Sequence, residues 1–308
     1  MLHLLAAFHS TPWALDEAVL RSMTAVLHRW AAGVKLSADE IRAAVGDAPE
    51  AAAQRRLAAQ QSSGGGVYVV PVYGVLTHRA HAAGNTSQPL TSTEALSVAV
   101  KTAAADPSVG AIVLDIDSPG GSVFGVEELG QTIAAAAKVK PVVAVANSTA
   151  ASGAYWIASQ ASRIVVAPGG MVGSIGVVLP HDDLSAAYEQ AGIKREFITY
   201  GQHKAEGNDT GPLSPETRAN LQAMVDAYGA EFTSAVAKGR RAAGVGVSVE
   251  DVRGPAFGQG RMKLAADAIA SGMADAVDTL DNVIAQYRKP ARGMKTAAAL
   301  RDIQILET

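Results

Sequence analysis

From Pro141 to Pro180 the only charged residue is Arg163, and so long an uncharged stretch has to be buried somewhere. A bilayer would bury it, but Pro168 and the glycines Gly153, Gly169, Gly170, Gly173 and Gly176 would break a spanning helix repeatedly. The stretch therefore reads as buried strands and tight turns inside a core. Within it lies NSTAASGAYWIASQ, residues 147–160, where Ser152 stands among small residues just before an apolar, aromatic run. Such a serine either caps a helix or stands at the helix N-terminus as a nucleophile, with the Gly153 N–H beside it as an oxyanion donor. The stretch alone leaves both readings open.

Composition narrows the classes. A chain of 308 residues, 48% of them hydrophobic, can bury one large core or two modest ones. Its net charge is −3 with lysines and arginines scattered, so no nucleic-acid or anionic-membrane partner is expected. The absence of cysteine excludes disulfides, thiol nucleophiles and cysteine-ligated metals, and suits a reducing, cytoplasmic location. The opening MLHLLAAFHSTPW is apolar, but the first basic residue is Arg21. It therefore lacks the basic flank of a signal peptide and reads as the start of a helical segment, with no membrane anchor expected.

Residues 1–66 read as a helical N-terminal arm, with Leu20, Met23, Val26, Leu27 and Trp30 at helical spacing, closed by a Gly/Ser linker, SSGGG. An α/β domain is expected over residues 67–288 and a tail over 289–308. Its signals begin with VYVVPVYGVL, a β-rich run, and TSTE, where Thr91 and Glu94 have capping-box spacing. VGAIVLDID follows, with the continuous apolar character of a parallel strand buried on both faces. Further alternation predicts a helix near residues 123–138, the strand PVVAVAN, a helix from Ser152, the strands RIVVAP and GSIGVV, a helix near Asp182 or Asp183, and the strand KREFITY. Leu221, Met224, Val225, Tyr228, Phe232 and Val236 mark one face of a long helix after LSPE.

Two turns fall where ligand sites of α/β sheets gather, just past buried strands. DSPGGS offers the paired glycines Gly120 and Gly121, whose missing Cβ atoms let backbone N–H groups turn toward a bound oxygen or simply allow a tight turn. No Lys-Ser/Thr pair follows as in a phosphate-binding loop. If Ser152 is a nucleophile, it needs a base. His181, with Asp182 and Asp183 beside it, is one candidate; Lys204, in a Gly-flanked loop, is another if burial favours its neutral form. No pair of residues has metal-ligand spacing, and neither a metal nor a cofactor is expected.

Taken together, DSPGGS, NSTAASGAYWIASQASRIVVAP, VGSIGV, GQHKAEGN, the helix ending VAKGRR, and GQGRMKLAADAIASGMADAV resemble the signal peptide peptidase A (protease IV) family of serine proteases. The resemblance runs in unbroken order over residues 67–288. STPWAL and the wording of the two glycine- and serine-bearing motifs are similar to the phage and prophage members that act in head maturation. The resemblance implies a Clp protease/crotonase-like spiral of βαβ units, a nucleophile at Ser152, a lysine base at Lys204, and oxyanion donors from Gly120 or Gly121 and from Gly153. It also implies a homo-oligomer, a ring or dome whose subunits commonly share the site. The expected partner is a protein substrate, a capsid or scaffold protein, met in the bacterial host cytoplasm or inside the prohead. Many members carry a second glycine where this chain has Ala154, which leaves the Gly153 N–H in place. The arm matches nothing assignable in the anchored peptidases.

The mechanism so implied has Lys204 remove the Ser152 proton and return it to the leaving amine. Different readings of the same residues are a soluble signal-peptide-degrading peptidase, a crotonase-type acyl-CoA enzyme with the same paired-glycine hole, and a non-catalytic assembly protein.

Overall fold

A computed structural model describes Phe8, residues 11–31, Val34, and residues 66–79 and 90–288. Two elements open it, β1 (Trp13–Leu15) and α1 (Glu17–Ala31). The α/β unit follows: β2 (Val67–Tyr73), β3 (Val75–Thr77), β4 (Leu90–Ser92), α2 (Thr93–Ala105), β5 (Ala111–Ser118), β6 (Gly120–Ser122), α3 (Val126–Ala137), β7 (Val142–Ala151), α4 (Gly153–Ala158), β8 (Arg163–Val166) and β9 (Met171–Gly173). It is completed by α5 (Ser185–Gln190), α6 (Pro215–Ala242), α7 (Val249–Arg253), a 3-10 turn at Pro255–Phe257, β10 (Met262–Leu264), α8 (Ala265–Ala270), β11 (Ala276–Val277) and α9 (Leu280–Tyr287).

β7 organises the larger sheet. It pairs in parallel with β5 over Val142–Ala146 and again at Ala150, and β5 pairs in parallel with β2. Its other edge forks: Val143–Ala146 pair with β8 and Thr149–Ala151 with β9. β11 extends β8 in parallel, and β10 extends β9 antiparallel. A smaller sheet has the order β1-β6-β3-β4. This succession of parallel strands joined by helical crossovers is the α/β arrangement that the family resemblance implies. No helix among the described residues is long and apolar enough to cross a membrane.

The apolar runs read from the sequence become strands buried on both faces. Val70, Ile112, Leu114, Ile116, Val142 and Ala144 pack with Val100, Leu129, Ile133 and Trp156 from α2, α3 and α4. Val67, Val69, Val113, Val143, Val145 and Val165 pack with Val283 and Ile284 of α9. α4 is buried at every position and is pinned at both of its aromatics. Trp156 stacks on Phe232 of α6 with centroids 4.6 Å apart, and the Tyr155 hydroxyl donates to the Met273 carbonyl at 2.9 Å. Burial pushes the Tyr155 phenol well above its ordinary pKa, so it remains a donor.

Some expectations shift. The capping serine of α2 is Ser92, which accepts from the Ala95 amide at 3.2 Å, while Thr91 lies in β4 with its hydroxyl donating to the Tyr73 carbonyl. Of GSIGVV, Gly173 ends β9 and Val178 makes an isolated bridge to Trp13. KREFITY is not a strand among the described residues, and residues 193–200 are all exposed. Among the described residues its β-forming residues have no neighbouring strand to take their backbone hydrogen bonds. The helical arm is helical over Glu17–Ala31, whereas Trp13–Leu15 forms a strand of the smaller sheet. The remainder of residues 1–65 and the tail after residue 288 lie outside the described residues.

One ion pair ties α6 to the sheet. Arg240 is fully buried; its Nη1 and Nη2 meet the two carboxylate oxygens of Asp275 at 3.1 and 2.5 Å, and its Nε donates to the Gly272 carbonyl at 2.9 Å. Asp275 also accepts from the Ile164 amide of β8 at 2.6 Å. The Asp275→Ala variant leaves a buried guanidinium without its counter-charge and is expected to lose about 3–5 kcal/mol of stability, read as a fall in thermal midpoint; an unchanged midpoint contradicts this reading.

Candidate active site

β7 is buried over Val142–Ala146, surfaces at Asn147 and Ser148, and is buried again at Ala150 and Ala151, after which the chain turns sharply at Ser152 into α4. Ser152 has φ 53° and ψ −120°, a conformation that side chains with a Cβ rarely adopt and that costs on the order of 1–3 kcal/mol. The turn is held by its own backbone. The Ser152 amide donates to the Gly173 carbonyl at 2.7 Å, and the Ser152 carbonyl accepts from the Trp156 amide at 2.9 Å to begin the helix. The hydroxyl makes no capping hydrogen bond, which removes the bland reading of this serine as a cap. Instead it points toward the Gly176 carbonyl, 3.4 Å away, from a side chain that is 1% exposed.

The paired-glycine turn is brought against this serine by the sheet. Ser118, at the end of β5, is in register with Ala150 on β7, so the next residues of both strands leave the sheet together. Gly120 has φ 93°, and a Cβ there would lie 2.8 Å from the Gly153 nitrogen and 2.9 Å from the Ala151 carbonyl oxygen. A Cβ on Gly121 would meet the Leu76 backbone oxygen at 2.0 Å. Gly121 N and the Cβ position of Gly153 are 3.6 Å apart. Gly120, Gly121 and Gly153, singled out separately in the sequence, therefore cluster around one point beside Ser152. Backbone N–H groups set so closely can stabilise negative charge on an oxygen.

The candidate bases make no hydrogen bond to Ser152 among the described residues. Lys204 is exposed in a run of turns following Gly201; its amide donates to the Gly201 carbonyl at 3.2 Å, and its side chain makes no ion pair or hydrogen bond among the described residues. Its neighbour His203 pairs with Glu206. Those two and Glu216 bring ligand atoms within 4.8 Å of one another, a proximity hidden in the sequence because Glu216 belongs to the following helix. The His203–Glu206 ion pair accounts for it. His181 is half-buried with Nε2 3.3 Å from the Gly211 carbonyl. Asp182 pairs with His28 at 2.8 Å, and Asp183 accepts from the Ser185 amide at 3.0 Å. Hydrogen bonds from Ser185, side chain and backbone, hold the Asp183 carboxyl below its usual pKa. These three form no relay to Ser152 among the described hydrogen bonds. Sequence reasoning missed β1, which lies alongside the paired glycines; STPWAL was visible, but its destination was not.

Two variants test the backbone account. Ser152→Gly places at φ 53° the residue that tolerates it, and is expected to keep or raise the thermal midpoint, by on the order of 1 kcal/mol, while removing the hydroxyl. Gly121→Ala drives a Cβ into main chain, so it is expected to lower the midpoint as well as impair the site, a stability cost that DSPGGS alone did not reveal. A Ser152→Gly melt lower by several degrees contradicts the strain.

The model of peptidase family S49 matches residues 134–294. Over 174 residues the chain is 37% identical to capsid assembly protease C of Escherichia phage lambda, covering 56% of this chain and 39% of that protein. It is 32% identical over 260 residues to the head-tail preconnector protein GP5 of Enterobacteria phage P21, covering 82% and 50%. It is 29% identical over 231 residues to protease 4 of Salmonella typhi, covering 75% and 35%. The chain thus spans half or less of the length of these relatives. The family match falls on the serine turn and everything that follows it in the α/β unit, and the chain belongs to peptidase family S49.

Proposed function

We propose that this protein is a serine endopeptidase in which Ser152 attacks a peptide carbonyl and Lys204 of a neighbouring copy acts as the base. The observation that carries the reading is the strained turn that sets a buried serine hydroxyl beside the Gly120, Gly121 and Gly153 backbone. Strain of this kind persists only where the surroundings enforce it, and its effect is to hold the hydroxyl clear of its own helix.

In this mechanism a neutral Lys204 amine takes the proton from Ser152 Oγ as Oγ bonds to the carbonyl carbon. The developing oxyanion is held by backbone N–H groups, each worth roughly 3 kcal/mol where such donors have been removed in other proteases. The lysine ammonium then protonates the departing amine, leaving an acyl-enzyme. Water, deprotonated by the same lysine, attacks the ester, and the proton returns to Oγ.

Placing the base on a second copy is supported by how residues 181–214 are built. This excursion contains no buried residue, yet it is internally braced. Tyr188 and Arg195 converge on Asp209 at 2.5 and 2.8 Å, and the Arg195 guanidinium lies over the Tyr188 ring at 4.4 Å. Ile198 and Tyr200 are fully exposed, and Ile193 and Phe197 nearly half. A braced segment with exposed apolar side chains suits contact with another copy. Enclosure between chains would also disfavour a lysine's charged form, as base catalysis requires.

The names of the phage relatives support substrates among capsid or scaffold proteins, processed in the host cytoplasm or within the prohead. The putative signal peptide peptidase SppA of Enterococcus faecium, 29% identical over 136 residues, supports degradation of signal peptides as the second reading. A crotonase-type acyl-CoA enzyme would leave the Ser152 strain without a purpose.

Ser152→Ala and Lys204→Ala chains are each expected to be inactive in peptide hydrolysis. Mixing the two should restore roughly a quarter of the activity, the fraction of randomly paired interfaces that keep both groups. A mixture as inactive as its parts contradicts the shared site, and loss of activity in His181→Ala with retention in Lys204→Ala moves the base to His181.

A further inference from the structure

The strand β1 runs antiparallel to β6, with Trp13 opposite Ser122, Ala14 opposite Gly121 and Leu15 opposite Gly120. On its other edge Trp13 exchanges both backbone hydrogen bonds with Val178, each 2.9 Å. β1 is therefore held between the paired-glycine turn and the segment that follows Gly176, whose carbonyl faces the Ser152 hydroxyl. The ladder continues at both ends, where the Val123 amide donates to the Pro12 carbonyl at 3.2 Å and the Asp16 amide to the Pro119 carbonyl at 2.9 Å. Since Pro12 and Asp16 bond toward β6 and Trp13 bonds away from it, the alternation of an antiparallel ladder turns the N–H and C=O of Ala14 toward Gly121.

The Ala14 carbonyl oxygen is the nearest atom, chain neighbours aside, to where a Cβ would stand on two of the clustered glycines. It lies 2.2 Å from where a Cβ would stand on Gly120 and 3.2 Å from where one would stand on Gly153. The antiparallel register thus sets this oxygen against the Gly121 amide, beside the close approach of Gly120 to Gly153.

We propose that β1 is an intramolecular occupant of the substrate cleft, a strap from Pro12 to Asp16 with the Ala14 carbonyl in the oxyanion position, which a peptide substrate must displace. The proposal rests on reading Ser152 and its glycine neighbours as the catalytic centre. An extended peptide gains backbone hydrogen bonds by adding to the free edge of a strand, and here both edges that flank the centre, β6 and Val178, are already taken. The strap also indicates the class of substrate. Ala14 is completely buried, with its methyl 3.6 Å from the Cβ position of Gly153, so the residue whose carbonyl is attacked is small. The strap's anchors lie outside the main core. Trp13 and Leu15 pack with Phe8, Leu20 and Val75 in a cluster of their own, and the Trp13 indole donates to the Phe8 carbonyl at 2.9 Å. α1, which continues from the strap, is tied by His28 to Asp182, at the start of the excursion that carries Lys204.

The test separates occupancy from catalysis by working in full-length Ser152→Ala protein, where binding is read without turnover. A fluorescent extended hexapeptide with a central alanine is titrated by anisotropy into this protein and into the same protein carrying Trp13→Glu or Ala14→Pro, which removes the anchor or the Ala14 N–H. A strap closed nine-tenths of the time weakens apparent affinity about tenfold, so each added substitution is expected to tighten binding by roughly that factor. A synthetic peptide with the sequence TPWALDE should compete. Hydrogen exchange on the unsubstituted chain provides a reading independent of how the variants fold. The Trp13, Ala14 and Asp16 amides are expected to be protected and to lose protection at saturating hexapeptide. Equal affinity with and without the strap substitutions in folded protein, or β1 amides that exchange at unstructured rates, overturns the strap. Failure of the serine mechanism would instead appear as absent hydrolysis by protein with Ser152 intact and β1 released.

Discussion

Everything in the candidate site depends on one backbone turn, the residue at which the buried end of a ten-residue strand becomes a buried helix with φ at 53°. A turn of that kind cannot be held by a side chain, because the side chain is the part to be kept free. It is held by main chain: Gly173 accepting from the Ser152 amide, Trp156 donating to the Ser152 carbonyl, and Gly120 approaching so closely that no Cβ could lie between it and the Gly153 nitrogen. Beneath it, the Tyr155 hydroxyl bond and the Trp156–Phe232 stack fix α4 to the body of the fold. A core packed this densely resists relaxation of the turn, so the strain is retained where the hydroxyl is needed.

The serine turn and residues 181–214 are built in opposite ways. The serine and glycine turns follow β5 and β7, which are hydrogen-bonded to each other and buried over Ala111–Ile116 and Val142–Ala146. The lysine-bearing excursion is braced chiefly around Asp209, contains no buried residue, and exposes Ile198 and Tyr200 completely. Under the proposed shared site, such a division would make activity conditional on association of copies of the chain. The strand β1 adds a second condition on the same centre.

Much of this was legible in the sequence because the physics was local. The uncharged run from Pro141 to Pro180 announced buried strands, DSPGGS announced a backbone turn that needs glycine, and LSPE announced the start of α6, where Ser214 accepts from the Thr217 amide. What escaped was set by partners far along the chain. Thr91 has the spacing of a cap, but pairing with β3 draws it into a strand and leaves the capping to Ser92. KREFITY has strand-forming residues without a strand beside it among the described residues. STPWAL reads as part of an arm until β6, more than a hundred residues on, turns Trp13–Leu15 into a third strand beside the glycines. Ser152 could be assigned to a turn from its neighbours, but its role against Lys204 or His181 depends on distances that spacing does not encode.

The measurement that bears most directly on this account is the identity of the residue modified by a fluorophosphonate probe, located by mass spectrometry in the assembled protein. The account requires a single adduct on Ser152 that disappears when Lys204 is replaced by alanine, because the hydroxyl reacts only when a base removes its proton. An adduct on a different serine, or undiminished labelling of Ser152 without Lys204, would contradict it.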